Sequence, residues 1–192
     1  MQVHPSRESV RQAFESVRAN PGFAESCRLV EAGGLPVEML QAMSLRPELL
    51  AAFGAFSASV YPGGVVERSV KEAIILEISR RNRCQFCTQS HVEIARALGL
   101  SEDPLAWIDD LERLSAREAL AVEYARCAWS DSNAIPQGLR SRLAAAFTEP
   151  ELVEVTAMIG LITMLNLFNN CLEVRYRGEY GAAEAPPRTG GG

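Results

Sequence analysis

From Ser6 to Tyr176 the apolar residues recur at intervals of three and four, and no stretch alternates long enough to make a strand. That periodicity confines the chain to an all-α fold. The punctuation agrees with it. Ser6 can cap a first helix carrying Val10, Phe14 and Val17 on one face. Pro21 starts a short helix with Phe23, Cys27 and Val30, stopped by Gly33-Gly34. Pro36 and Pro47 open two more, the second bearing a stripe of Leu49, Leu50, Phe53, Phe56 and Val60 that ends before Pro62-Gly63-Gly64. A helix is expected from about Val66 to Arg80, with Val70, Ala73, Ile74 and Ile78 inward. The polar run Arg80-Arg81-Asn82-Arg83 breaks it, and a new helix runs from about Cys84 to Gly99. Asp103-Pro104 begins a short helix, and Leu139 to Phe147 forms another. Ser115 to Glu118 and Thr148 to Glu151 both have capping-box form. They open helices to about Trp129 and about Tyr176.

The last of these helices is nearly apolar all round from Thr156 to Phe168, so both of its sides require cover: the core on one, a subunit interface on the other. A homo-oligomer is therefore expected. The organisation is one helical domain over 1–180, with 1–60 an amino-terminal extension and 61–180 the core; 181–192 lacks packing residues and reads as a frayed tail. A formal net charge of −5 offers no basic surface to draw nucleic acid or an acidic membrane. No apolar run approaches the roughly 18 residues of a membrane span, and the first residues lack a secretory pattern. A cytoplasmic location follows.

Five cysteines in a chain of this size do not indicate disulfide staples. Cys27, Cys127 and Cys171 lie singly among apolar residues and are expected to be small buried hydrophobes. Cys84 and Cys87 differ, because with His91 they form C-x-x-C-x-x-x-H. At 100° per residue the three positions lie within about 60° of one another on a helix. His91 falls one turn after Cys87, at about 6 Å between Cβ atoms, whereas Cys84 is two turns from it, about 10 Å away. The imidazole thus serves Cys87 better. Amides at the helix start favour thiolate on either sulfur, and Arg80, Arg81 and Arg83 are expected to add positive charge. The helix terminus alone argues for Cys84 as nucleophile; the position of the base argues for Cys87, which is favoured. A zinc site with Glu72 or a remote cysteine as fourth ligand is the competing assignment, although no second Cys/His pair follows downstream.

With Glu72 placed twelve residues before Cys84, the pattern E-x11-C-x-x-C-x-x-x-H resembles the signature of alkylhydroperoxidase D-like (AhpD-like) proteins of the carboxymuconolactone decarboxylase superfamily. The likeness runs from Val60 to Leu120, through R-S-V-K-E-A-I-I-L-E-I-S-R and on to A-R-A-L-G-L, and more loosely into the Asn166/Asn169/Asn170 region. It implies an AhpD-like helical bundle and a peroxidase that uses no metal, haem or flavin. By the resemblance, the Cys87 thiolate attacks a hydroperoxide and Cys84 resolves the sulfenic acid to a disulfide. His91 carries the proton, and Glu72 orients it from the preceding helix. An external dithiol, small or protein-borne, reduces the disulfide. Phe86 stands where the peroxidase branch has a histidine, leaving one imidazole and a position suited to core packing. The sixty residues before the motif helix resemble the peroxidase-related subgroup. The competing functions are a general thiol-disulfide oxidoreductase, a non-redox zinc or assembly protein, and a cofactor-free lyase or decarboxylase using Glu72 and His91 as acid and base.

Overall fold

The computed structural model describes residues 2–178, so the expected tail at 181–192 lies outside the described residues. Ten α-helices follow one another: α1 (Arg7–Ser16), α2 (Ala24–Glu31), α3 (Glu38–Met43), α4 (Pro47–Val60), α5 (Arg68–Arg81), α6 (Gln85–Ala97), α7 (Pro104–Asp109), α8 (Ala116–Asp131), α9 (Gln137–Ala146) and α10 (Glu149–Cys171). Single 3-10 turns at Pro21–Phe23 and Leu111–Arg113 precede α2 and α8. There is no strand among the described residues. Ser6, Ser115 and Thr148 all cap as their sequences imply, the last two as complete capping boxes.

The centre of the molecule is α5, in which every residue from Val70 to Ser79 is buried. Val70, Ile74, Ile75 and Ile78 join the main core with residues of α1 to α4, α6 and α8 to α10, while Ala73 and Leu76 face a smaller cluster with Trp107, Ile108 and Val122. A helix enclosed on all sides must also bury its polar residues, and here these are Lys71, Glu72, Glu77 and Ser79. Each has partners, as buried charge requires. Glu77 pairs with Arg80, Arg81 and Arg126. Lys71 pairs with Glu154 of α10 and donates to the Gly63 carbonyl.

Glu154 also accepts the backbone N–H groups of Val65 and Val66, at 2.6 and 3.1 Å, so α10 grips the turn between α4 and α5. Gly64 in that turn has φ +97°, and a Cβ there would come within 2.2 Å of the Glu154 carboxylate. Only glycine fits. The next break is at Asn82–Arg83, where Arg83 takes φ +53° and folds α6 back along α5.

Three expectations need correction. The final helix stops at Cys171, short of Tyr176, because Glu173 adopts φ +52° and the Val174 N–H closes on the Asn169 carbonyl. That helix is also long and apolar enough to cross a membrane, with an 18-residue stretch of mean hydropathy 1.6, since Thr156, Thr163 and Asn166 interrupt an apolar run without lowering its mean much. In the fold it packs on α4, α5, α6, α8 and α9. Its opposite face is not covered by the described residues: Val153, Met164 and Leu167 are 70%, 41% and 66% exposed. Finally, Cys27 is buried, but Cys127 is half-buried and Cys171 is exposed at the helix end.

Replacing Ile74 by Ala in the enclosed helix is expected to cost about 2–5 kcal/mol through the cavity it leaves. Val153→Ala, on the exposed face of α10, should cost under about 0.5 kcal/mol. Denaturant unfolding of the two variants beside the wild type measures the difference.

Candidate active site

Glu72, on α5, is entirely buried. Its Oε2 lies 2.7 Å from Nδ1 of His91 on α6, and its Oε1 accepts from the Tyr61 hydroxyl and from Arg68 Nε, each at 2.7 Å. The helix break at Asn82–Arg83 therefore brings Glu72 and His91 together, as the motif requires. Tyr61 joins them from the end of α4. Its hydroxyl is 3.5 Å from His91 Nδ1, its ring packs edge-on to the imidazole at 5.4 Å, and the Arg68 guanidinium covers its other face at 4.2 Å. Burial pushes the Glu72 carboxyl up. The charge and hydrogen bond of His91, the Tyr61 hydroxyl and the Arg68 charge more than offset this and hold it below the ordinary value. With Nδ1 committed to Glu72, Nε2 is the ring nitrogen left for exchange with a reactant.

Cys84 and Cys87 are buried thiols at the start of α6. Cys84 occupies the N-cap position, and Cys87 sits one turn into the helix. Their environments separate them. The Cys84 thiol is lowered to about 7, first because Cys87 hydrogen-bonds to it and then, against the cost of burial, because the Cys87 and Phe86 amides and Asn166 favour the anion. Cys87 is raised, chiefly by donating to Cys84 and by burial, with Asn169 and Asn166 opposing. Of the pair, Cys84 is therefore the sulfur that ionises first. Asn169 Nδ2, on α10, donates to Cys87 Sγ at 3.3 Å, and Ser90 Oγ donates to the Cys87 carbonyl. Asn166 bridges Asn82 Nδ2 and Ser79 Oγ at 3.0 and 3.1 Å, so α10 holds the helix break behind Cys84.

A cavity of about 440 Å³ opens beside this cluster. Cys87, Ser90, His91 and Tyr61 line it; Cys84 does not. The rest of its wall is largely apolar, with Phe53, Met158, Ile162 and Leu165 among the lining residues. The helix terminus therefore favours charge on Cys84 while the cavity reaches Cys87, and the opposing arguments from sequence correspond to two sulfurs in different settings.

Phe86 is buried, 3% exposed and edge-on to Tyr176 at 5.6 Å, and it also forms part of the cavity wall. The positive charge expected from Arg80 and Arg81 is committed elsewhere, to Glu77 and, for Arg80, also to Asp109, with Arg81 stacked over Trp129. Among the described residues no three His, Cys, Asp or Glu side chains converge as a metal site would require. Sequence reasoning missed Tyr61, Arg68 and the sulfur contact of Asn169. Of these only Arg68 carried a local signal, its i,i+4 spacing to Glu72.

Two titrations follow. One thiol, detected by thiolate absorbance near 240 nm, should ionise around pH 7 in the wild type, and Cys84→Ser should remove that step. Glu72 has a depressed value in the fold, so it contributes stability above its ordinary value of about 4.3 that is lost as the pH falls through the folded value. Glu72→Gln should therefore flatten the acid limb of the stability–pH curve, measured by denaturant unfolding between pH 7 and 3.

The geometry has counterparts. Residues 47–129 match the model of the carboxymuconolactone decarboxylase family. The uncharacterized protein YnjA of Escherichia coli is 32% identical over 112 residues, which are 57% of this chain and 62% of that protein's length. Among solved structures, the alkylhydroperoxidase AhpD core of an uncharacterized peroxidase-related protein from Ralstonia eutropha superposes with a TM-score of 0.70 at 18% identity, covering 94% of this chain and 92% of that one. The debrominase Bmp8, solved as a cysteine-to-alanine variant with 2,3,4-tribromopyrrole, gives 0.67 at 19% identity over 96% and 95%. The two structural likenesses extend over more than nine-tenths of the chain, whereas the family match is confined to residues 47–129. Residues 47–129 thus match the carboxymuconolactone decarboxylase family in sequence, and the fold of the described residues is similar to that of AhpD-like solved structures.

Proposed function

We propose that the protein is a dithiol-dependent peroxidase that reduces organic hydroperoxides. The observation that carries this is the shared opening of Cys87 and His91 onto one cavity, with His91 Nδ1 engaged by the buried Glu72. Cys87 gives its proton to His91 Nε2 and attacks the terminal oxygen of ROOH. The O–O bond breaks, His91 returns the proton to the departing alkoxide, and ROH and Cys87–SOH result. The Cys84 thiolate, about half formed at pH 7, then attacks the sulfenic sulfur. The S–S bond forms as hydroxide leaves, taking a proton to become water. An external dithiol returns both thiols through a mixed disulfide and leaves oxidised.

Placing charge on Cys84 in the resting enzyme suits this division of labour. A resolving sulfur must already be ionised when the sulfenic acid appears, whereas a buried and protonated Cys87 is protected until substrate and base are both in place. We place the working protein in the cytoplasm as a homo-oligomer, with the exposed Val153, Met164 and Leu167 of α10 at the subunit contact. The cysteine pair supports redox chemistry over decarboxylation.

Thiol titration before and after one equivalent of cumene hydroperoxide is the direct test. Two thiols should vanish in the wild type and none in Cys87→Ser; no loss in the wild type would overturn the assignment. If both cysteines can be replaced by Ser without loss of turnover on any substrate, acid–base chemistry by Glu72 and His91 is the better account. His91→Gln should slow the oxidation by about 10²–10⁴-fold, measured by stopped-flow thiol loss.

A further inference from the structure

The cavity over Cys87 is built in large part by residues outside the segment that matches the family. Its rim is exposed at Pro21, Gly22 and Glu25, on the turn leading into α2, and at Ala58 and Gly63, at the end of α4 and just beyond it. Met39 and Leu40 of α3 add to its wall. Its inner end is formed by buried Cys87, Ser90, Ile75 and Ile162. The space thus runs from the surface, between the amino-terminal helices and α4, down to the sulfur that lacks the thiolate charge.

Its size and charge narrow what it can hold. At about 440 Å³ it is within the range of small-molecule sites and more than ten times the roughly 30 Å³ that a water occupies. Hydrogen peroxide would leave most of it unfilled. The lining includes no Lys or Arg among the described residues, and the acidic side chain of Glu25 stands at the rim. A carboxylate-bearing oxidant, such as a fatty-acid hydroperoxide, would find no Lys or Arg to pair with and would meet a like charge on entry. Polar partners are confined to the inner part, at Tyr61, Ser90 and His91, and to Ser26 and Ser57 nearer the rim.

We propose that the amino-terminal segment makes this a selective site for an uncharged, bulky, apolar molecule, of the size of two or three aromatic rings, held against Cys87. This rests on the thiol chemistry proposed above and specifies its substrate class. Residues 21–63 and the α10 residues Met158, Leu161, Ile162 and Leu165 supply most of the wall that selects, whereas the reacting groups lie at 72–91.

A matched pair of fluorescent probes tests it on the reduced full chain: neutral N-phenyl-1-naphthylamine, and 8-anilinonaphthalene-1-sulfonate, which adds a sulfonate to the same framework. The neutral probe should bind at least tenfold more tightly and slow iodoacetamide alkylation of Cys87 at least fivefold, without protecting the exposed Cys171. Ala58→Trp and Ser26→Trp, from two sides of the rim, should each weaken it at least fivefold while retaining the wild-type helical circular dichroism. Equal affinity for the two probes, or unchanged alkylation of Cys87 at saturation, would overturn the proposal. If the neutral probe binds at Cys87 while cumene hydroperoxide consumes no thiol, the cavity assignment holds and the peroxidase chemistry fails.

Discussion

One buried carboxylate organises this protein. Glu72 lies in a helix closed off from solvent on every side, and a negative charge there is tolerable only with hydrogen bonds and positive charge around it. Those come from three places in the chain: Tyr61 at the end of α4, Arg68 one turn earlier on α5, and His91 on α6. Satisfying Glu72 therefore fixes the angle of the α4–α5 turn and the approach of α6. The interaction that stabilises the charge is the same one that aims the imidazole.

The two sulfurs of the motif illustrate how one turn of helix separates chemical roles. Cys84 is at the helix terminus, where amides and the neighbouring thiol stabilise an anion, and it is walled in by Asn166 and the helix break. Cys87 lies one turn further along α6, its thiol is pushed up by its hydrogen bond to Cys84 and by burial, and it is the one that meets the cavity. In the proposed cycle, this asymmetry supplies a ready resolver and a protected nucleophile. The asymmetry costs nothing in sequence, since it follows from where α6 begins.

The sequence was most informative where function is local. Glu72, Cys84, Cys87 and His91 could be placed on facing helical surfaces because a single break, at Arg80–Arg83, separates them, and helical periodicity carried the rest. Helix starts were well marked by Ser6, Ser115 and Thr148, whereas the end of α10 was not, because Glu173 rather than glycine takes the left-handed position. Tyr61, Asn166 and Asn169 were beyond reach for a different reason. Their roles depend on how distant segments dock, and neither a tyrosine before a proline nor an asparagine in an apolar helix declares its partner. The cavity was hidden in the same way: no local pattern at 21–26 or 39–40 indicates that those residues surround a cysteine at 87.

The clamp of Glu154 on Val65 and Val66 spans 89 and 88 positions, and the contacts of Asn169 to Cys87 and Asn166 to Ser79 span 82 and 87. Pairings so far apart along the chain form late, after local helices exist, because closing such loops has an entropic cost that only final docking recovers. The chain therefore carries its dithiol for some time before it has the setting that tunes it. During synthesis, α5 and α6 emerge while α10 is still to be made, and the cysteine pair passes through that interval without the Asn166 and Asn169 contacts that α10 supplies.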